Sequence, residues 1–156
     1  MTLTAVTVRT ASMPSFTPAP LWLRLAAATY DLFPLVALWM LTAGLCLLAV
    51  GGHVDLTHPP LAWRVSLRLA LLAVTAAYFV ISWSRGGQTI GMRAWRLRVV
   101  SSEDAALTGA RALARFGASL LSLIVLGIGF LWCLFEPERR GWHDLLVGSR
   151  VVRLPK

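Results

Sequence analysis

Between Leu21 and Val50 the chain runs thirty residues, LWLRLAAATYDLFPLVALWMLTAGLCLLAV, in which only Arg24 and Asp31 carry charge. About 20 apolar residues cross the hydrocarbon core of a bilayer as a helix, so this stretch can span and leaves few other folds open. Its two charges need explaining. Arg24 stands near the start, where a long side chain reaches the headgroups, whereas Asp31 lies two turns deeper on a side chain too short to do so. Seven residues at about 100° each bring both onto one face. A carboxylate facing lipid costs roughly 2.5–3.5 kcal/mol, so Asp31 is expected to face protein or a wet cavity.

The rest of the composition agrees with that length. The 156 residues are 57% hydrophobic and 14% charged, with mean hydropathy +0.69, against roughly 25% charged in soluble domains. This describes a single integral membrane domain. The net charge of +8 would suggest nucleic acid on a soluble body, but these arginines flank apolar runs. There they mark the cytoplasmic side and anionic lipid headgroups, which makes the bilayer the partner and leaves no role for nucleic acid. Cys46 and Cys133 lie within apolar runs and read as small hydrophobes.

In chain order, residues 1–20 are rich in Ser, Thr and Pro and are expected to form a disordered tail ahead of a membrane domain over 21–153. Spans are expected at about 21–50, 61–84 and 112–135. An antiparallel pairing of the first two puts Asp31 level with Thr75, with Tyr78 one turn away. Pro34 frees the carbonyl of Tyr30, so Asp31, Tyr30, Thr75 and Tyr78 form a candidate ion or proton site. Arg64 and Arg68 share a face near the start of the second span, and Arg68 is expected to turn inward. The connection over 51–60 holds His53, Asp55 and His58, which read as a solvated loop and not as a metal set.

Arginines cluster from Arg85 to Arg115 and again from Arg139 to Arg153. Positive charge marks the cytoplasmic side, which puts the amino terminus in the cytoplasm of a multi-pass protein of the cell inner membrane. Residues 96–101 and 149–153 are short apolar and basic segments expected to pair as β-like strands on that side. Between them, Ala110, Ala114, Ala118 and Ser122 make a small-residue stripe suited to close packing. The third apolar segment is broken at Gly127 and Gly129, so it either crosses once or dips in and returns; the basic tail and the strand pairing favour the re-entrant hairpin. The fold class is therefore an all-α membrane protein with a small cytoplasmic β pairing. Gly86 to Gly91 is spaced like a phosphate loop, but Met92 and Arg93 stand where such a loop needs Lys and Ser or Thr.

Arg24, Asp31, the run Gly87-Gln88-Thr89-Ile90-Gly91, the segment Leu97 to Val100 and the closing Trp142-His143-Asp144-Leu145-Leu146-Val147-Gly148-Ser149-Arg150-Val151-Val152 together resemble the RDD family of prokaryotic membrane proteins. That family is named for one arginine and two aspartates, which fall here on Arg24, Asp31 and Asp144. Its cytoplasmic motif falls on Gly87, Gln88, Thr89 and Gly91; where the family commonly carries lysine next, this chain has Met92 followed by Arg93. The resemblance implies a multispan membrane protein of unsettled general function, with solute transport suggested and sodium–proton exchange proposed for some members.

Two functions follow as expectations. The first is an accessory or scaffold protein, partnered by a second copy or another membrane protein, in which Arg24, Asp31 and Asp144 form a structural network. The alternative is transport of ions or small solutes, such as cation–proton exchange, through a titrating Asp31. No enzyme, cofactor or metal centre is read: His143 and Asp144 are adjacent in sequence and no nucleophile accompanies them.

Overall fold

The computed structural model describes residues 16–55, 57–102, 104–125 and 127–155. Helix α1 covers Leu21–Ala49 and α2 covers Leu61–Arg85, and both are long and apolar enough to cross a membrane. Pro20, extended at φ −66° and ψ 155°, precedes α1 and stops helix from propagating backward. The buried residues of α1 are Leu23, Ala27, Asp31 and Leu35, one i, i+4 stripe, while Phe33, Met40 and Leu48 are exposed. Helix α2 buries only Trp83 fully. Exposed apolar surface of this kind suits a hydrocarbon solvent.

The polar contacts set the register of the two long helices. Trp39 Nε1 donates to Thr75 Oγ1 at 2.8 Å, and Tyr78 donates to Asp31 at 2.6 Å. Asp31 therefore lies level with Tyr78 and not with Thr75, about one turn from the expected alignment. Arg68 is exposed and does not turn inward.

After α2 the chain forms a short helix, α3 (Ile90–Ala94), and then strand β2 (Leu97–Ser101). Helix α4 (Gly109–Ile124) follows, with Thr108 as its cap accepting from the Arg111 amide. The run then breaks: α5 (Ile128–Leu131) and a 3-10 turn (Trp132–Leu134) follow at 109° to α4. The break falls at Gly127, left-handed at φ 74°, whereas Gly129, the other glycine expected to break the run, lies inside α5. Helix α6 (Trp142–Val147) packs back on α4 and delivers β3 (Ser149–Arg153) alongside β2. The chain thus leaves the sheet through α4 and comes back to it through α6.

The sheet differs from the expected pairing in two ways. Its β2–β3 ladder runs antiparallel from Leu97↔Arg153 to Ser101↔Ser149, so Arg96, in a left-handed conformation at φ 54°, stays outside the strand. A third strand, β1 (Thr17–Pro18), pairs antiparallel with the far side of β3, giving the order β1-β3-β2. The region expected as a disordered tail is therefore ordered from residue 16, and Ala19 is fully buried with its amide donating to Val151 O at 3.0 Å. The remainder of that tail, 1–15, lies outside the described residues.

The core sits where these pieces meet: Leu23 and Ala27 of α1, Trp83 of α2, Met92 of α3, Leu97 and Val99 of β2, and Ala112 and Phe116 of α4. On α4 the buried face is Ala112, Arg115, Phe116, Ala118 and Ser122. The small-residue stripe is thus buried only at Ala118 and Ser122; Ala110 and Ala114 are exposed.

Candidate functional site

Asp31 is 3% exposed, and its carboxylate accepts three hydrogen bonds. Tyr78 Oη donates to Oδ1 at 2.6 Å, Thr89 Oγ1 to Oδ2 at 2.6 Å, and the Gly91 amide to Oδ1 at 2.8 Å. The arrangement completes the first turn of α3. A helix start leaves its leading amides unpaired; here Ile90 N donates to Tyr78 Oη at 3.3 Å, Gly91 N to Asp31, and Met92 N to Thr89 Oγ1 at 3.1 Å. Thr89 thus donates to the carboxylate while accepting from its own helix, which uses both faculties of a hydroxyl.

The glycines of the Gly87–Gly91 run have steric reasons. A Cβ on Gly91 would strike the Ala27 carbonyl oxygen and stand 3.0 Å from Asp31 Cγ, so only glycine lets α3 lie this close to α1. Gly87 is left-handed at φ 69°, and a Cβ there would come within 2.6 Å of Val99 O. Its carbonyl accepts from the Val99 amide at 2.7 Å, and Gln88 Nε2 donates to Leu97 O at 2.7 Å. The run therefore fastens α3 to both α1 and β2. Arg93 is exposed and touches neither carboxylate among the described contacts.

Asp144 forms a second cluster and is 0% exposed. Arg24 Nη1 donates to Oδ2 at 2.8 Å, while Arg115 donates to Oδ1 from Nη2 at 2.6 Å and from Nε at 3.2 Å. The Gly141 amide donates to Oδ2 at 3.2 Å and the Ser149 hydroxyl to Oδ1 at 3.4 Å. Arg24 also donates to two backbone carbonyls, Ala19 O at 3.2 Å and Arg139 O at 2.5 Å. One carboxylate thereby joins α1, α4, α6 and β3. Burial by itself would raise the Asp144 pKa, but the Arg115 guanidinium, helped by Arg24, holds the carboxyl well below the usual carboxylate range. Burial pushes neighbouring His143 down to about 4, against the pull of Asp144, so its ring is neutral at physiological pH.

Of the candidate residues, Arg24 meets Asp144 and not Asp31; the two aspartates belong to separate clusters joined by α1. Tyr78 and Thr89 bond Asp31 directly. Thr75 is occupied by Trp39 and by Leu71 O, at 2.7 Å. Tyr30 is half-exposed and packs edge-on against Trp95 with centroids 5.9 Å apart.

Sequence reading missed Arg115 as the second partner of Asp144. It is 4% exposed, and its guanidinium carbon lies 4.4 Å from the centroid of the Trp83 ring. One signal could have found it: Ala112, Arg115, Phe116 and Ser119 recur at i, i+3, i+4 and i+7, which is the pattern of a buried face. A cavity of about 370 Å³ lies between the clusters, bordered by Arg24, Asp31, Thr89, Arg115 and His143 among mostly apolar walls.

The RDD family profile matches residues 18–148, a range that holds both carboxylate clusters apart from the contact with Ser149. "Uncharacterized protein YxaI" of Bacillus subtilis (strain 168) is 28% identical over 85 residues, covering 54% of this chain and 56% of that relative. The chain thus spans about half the length of the curated relative it matches. No solved structure matches the chain. The matched range takes in both long apolar helices, and Arg24, Asp31 and Asp144 all lie within it: this membrane protein belongs to the RDD family.

Proposed function

We propose that this chain is a non-enzymatic membrane scaffold, whose two carboxylate clusters hold a cytoplasmic sheet and the α6 segment onto the base of its spans. The observation that carries this reading is the saturation of Asp144: two guanidiniums, an amide and a hydroxyl from separate elements converge on one fully buried carboxylate. Buried charges are tolerated when paired and hydrogen-bonded. Such a cluster rigidifies the junction between the first span and the tail, which suits a platform for a second copy or another membrane protein.

Orientation follows from the same clustering. Arg85, Arg93, Arg96, Arg98, Arg139, Arg140, Arg150 and Arg153 all belong to the sheet end or the segments bordering it, whereas the connection over 51–60 carries no arginine. The positive-inside rule then supports a sheet in the cytoplasm of the inner membrane. The return of the chain through α6 to β3, which pairs with β2, supports a re-entrant course for α4 and α5. The test is the network itself: in detergent, Arg24→Ala and Asp31→Asn should both lower the melting temperature, and unchanged melting in both would count against the scaffold.

Cation-coupled transport is a second reading, favoured by one observation, the cavity that reaches Asp31. The three donors already on Asp31 weigh against it. Proteoliposomes decide: transport requires cation-dependent proton flux that Asp31→Asn abolishes, and flux no higher than in empty liposomes would end this reading.

A further inference from the structure

Charge at the sheet end is unevenly paired. Among the described residues, Asp104 is held by Arg150 at 2.6 Å, Glu136 and Glu138 by Arg140, and Asp144 by Arg24 and Arg115. No ion pair among them reaches Arg96 or Arg153, and both of these are exposed. The fold nevertheless brings the two together. Leu97 stands opposite Arg153 in the β2–β3 ladder, and the Arg96 carbonyl accepts from the Leu154 amide at 2.8 Å. Arg96 and Arg153 line one open cavity of about 440 Å³, with Trp95 and Thr17 beside them. Two cations on one cavity repel each other until an anion stands between them. A phosphate suits that place, because its oxygens can accept from both guanidiniums at once.

Two observations set this cavity at the membrane surface. Side chains alternate along a strand, and Arg153 falls on the sheet face of Leu97, Val99 and Val151, which share a core with Leu23 and Ala27 of α1. Arg153 is thus on the face turned toward the spans, past the edge of their shared core. Trp95, the wall residue next to Arg96, meets Trp22 and Tyr30 of α1 edge-on, with centroids 6.1 and 5.9 Å apart. Trp22 and Tyr30 are exposed near the start of a spanning helix, where aromatic side chains mark headgroup depth. The anion that a cavity at this depth meets is a lipid phosphate.

We propose that Arg96 and Arg153 clamp the phosphate of an anionic glycerophospholipid from the leaflet at the sheet end, with Trp95 against its glycerol and Trp22 and Tyr30 beside its upper acyl chain. A zwitterionic headgroup brings its own cation to the two guanidiniums and fits less well. The site is separate from both carboxylate clusters, so it stands or falls apart from the scaffold reading.

The probe is dioctanoyl phosphatidylglycerol, titrated calorimetrically into the full chain in maltoside micelles with empty micelles as background. One saturable site is expected, with dioctanoyl phosphatidylcholine at least about tenfold weaker. Inorganic phosphate, which lacks a hydrocarbon body, should not compete. Arg153→Gln and Arg96→Asn should each weaken binding about fivefold; asparagine is chosen because it tolerates the left-handed conformation of Arg96. Arg111→Gln removes an exposed arginine of α4 that does not line the cavity, and should leave affinity unchanged. Absence of saturable binding overturns the proposal, as does phosphatidylcholine binding equally well, or inorganic phosphate competing, which would mark a soluble-anion site. A loss in Arg111→Gln equal to that in Arg153→Gln overturns it too, because net charge and not a site would then be acting. If Arg96→Asn does not fold, Arg153→Gln decides: unchanged affinity there places the lipid elsewhere.

Discussion

Removing the guanidinium of Arg115 strands Asp144 beside one remaining arginine in a fully buried site. Breaking a buried pair in this way costs about 3–5 kcal/mol, so Arg115→Ala should sharply lower the melting temperature in detergent. The Arg24→Met, Arg115→Met, Asp144→Leu triple variant should lose less than Arg115→Ala alone, since no unpaired charge then remains at that corner; a triple variant that loses as much as the three singles added together would show that the cluster is not acting as a unit. His143 supplies the pH dependence. Its folded pKa of about 4 lies below the ordinary value of 6.5, so the unfolded chain takes up the proton first as pH falls. Stability is therefore full above about pH 6.5 and declines toward pH 4, by at most about 3 kcal/mol for that shift. Asp144, with its carboxyl also depressed, adds a loss only below its ordinary value of 3.8. His143→Gln should flatten melting temperature between pH 6.5 and 4 while leaving the steeper acid limb in place. Asp144 was legible as a family position, whereas Arg115 was marked only by its place on the i, i+3, i+4, i+7 face of α4, and which carboxylate it meets is decided by the packing of α4 against α6.

At the scale of elements, α3 is a five-residue helix that could not persist alone, since isolated helices shorter than about 12 residues are marginal in water. It is held from outside, by the Asp31 carboxylate and Tyr78 hydroxyl of the two long helices and by the close approach that Gly91 permits. Thr89→Val is nearly isosteric and removes both the cap and a donor to Asp31. It should cost about 1–3 kcal/mol, read as a drop of roughly 2–4 °C per kcal/mol in melting temperature. Gly91→Ala should destabilise α3 by forcing it off the Ala27 carbonyl. Hydrogen exchange would report both as faster exchange at the Gly91 and Met92 amides relative to Leu97 and Val99; equal change in both regions would contradict a local role for the cap. The glycines could be seen in the sequence as a motif, yet spacing alone also fitted a failed phosphate loop. Their reason is contact with α1 and β2, which sequence neighbours do not reveal.

For the whole molecule, the consequential feature is that the first and last strands of the described residues share one sheet, with β1 and β2 flanking β3. A reporter fused after Lys156 should therefore share its side with the sheet and with one at residue 88, and should be opposite to one inserted at residue 52. A fusion after Lys156 on the same side as residue 52 would refute the re-entrant course of the third apolar segment. The length and hydropathy of Leu21–Val50 and of the second apolar run were enough to determine two spanning helices, because in hydrocarbon a chain must satisfy its own backbone and helices do so locally. The arginine distribution marked one end of the molecule for a different reason, the cost of a charged side chain in hydrocarbon. The pairing of charges was decided only by the tertiary structure. Arg24 and Asp31 share a helix face seven residues apart, yet Arg24 bonds Asp144, 120 residues away, and Asp31 caps a helix that follows the second span. Which carboxylate meets which donor depends on the depth at which α3, α4 and α6 dock against α1, and that depth is set by long-range packing.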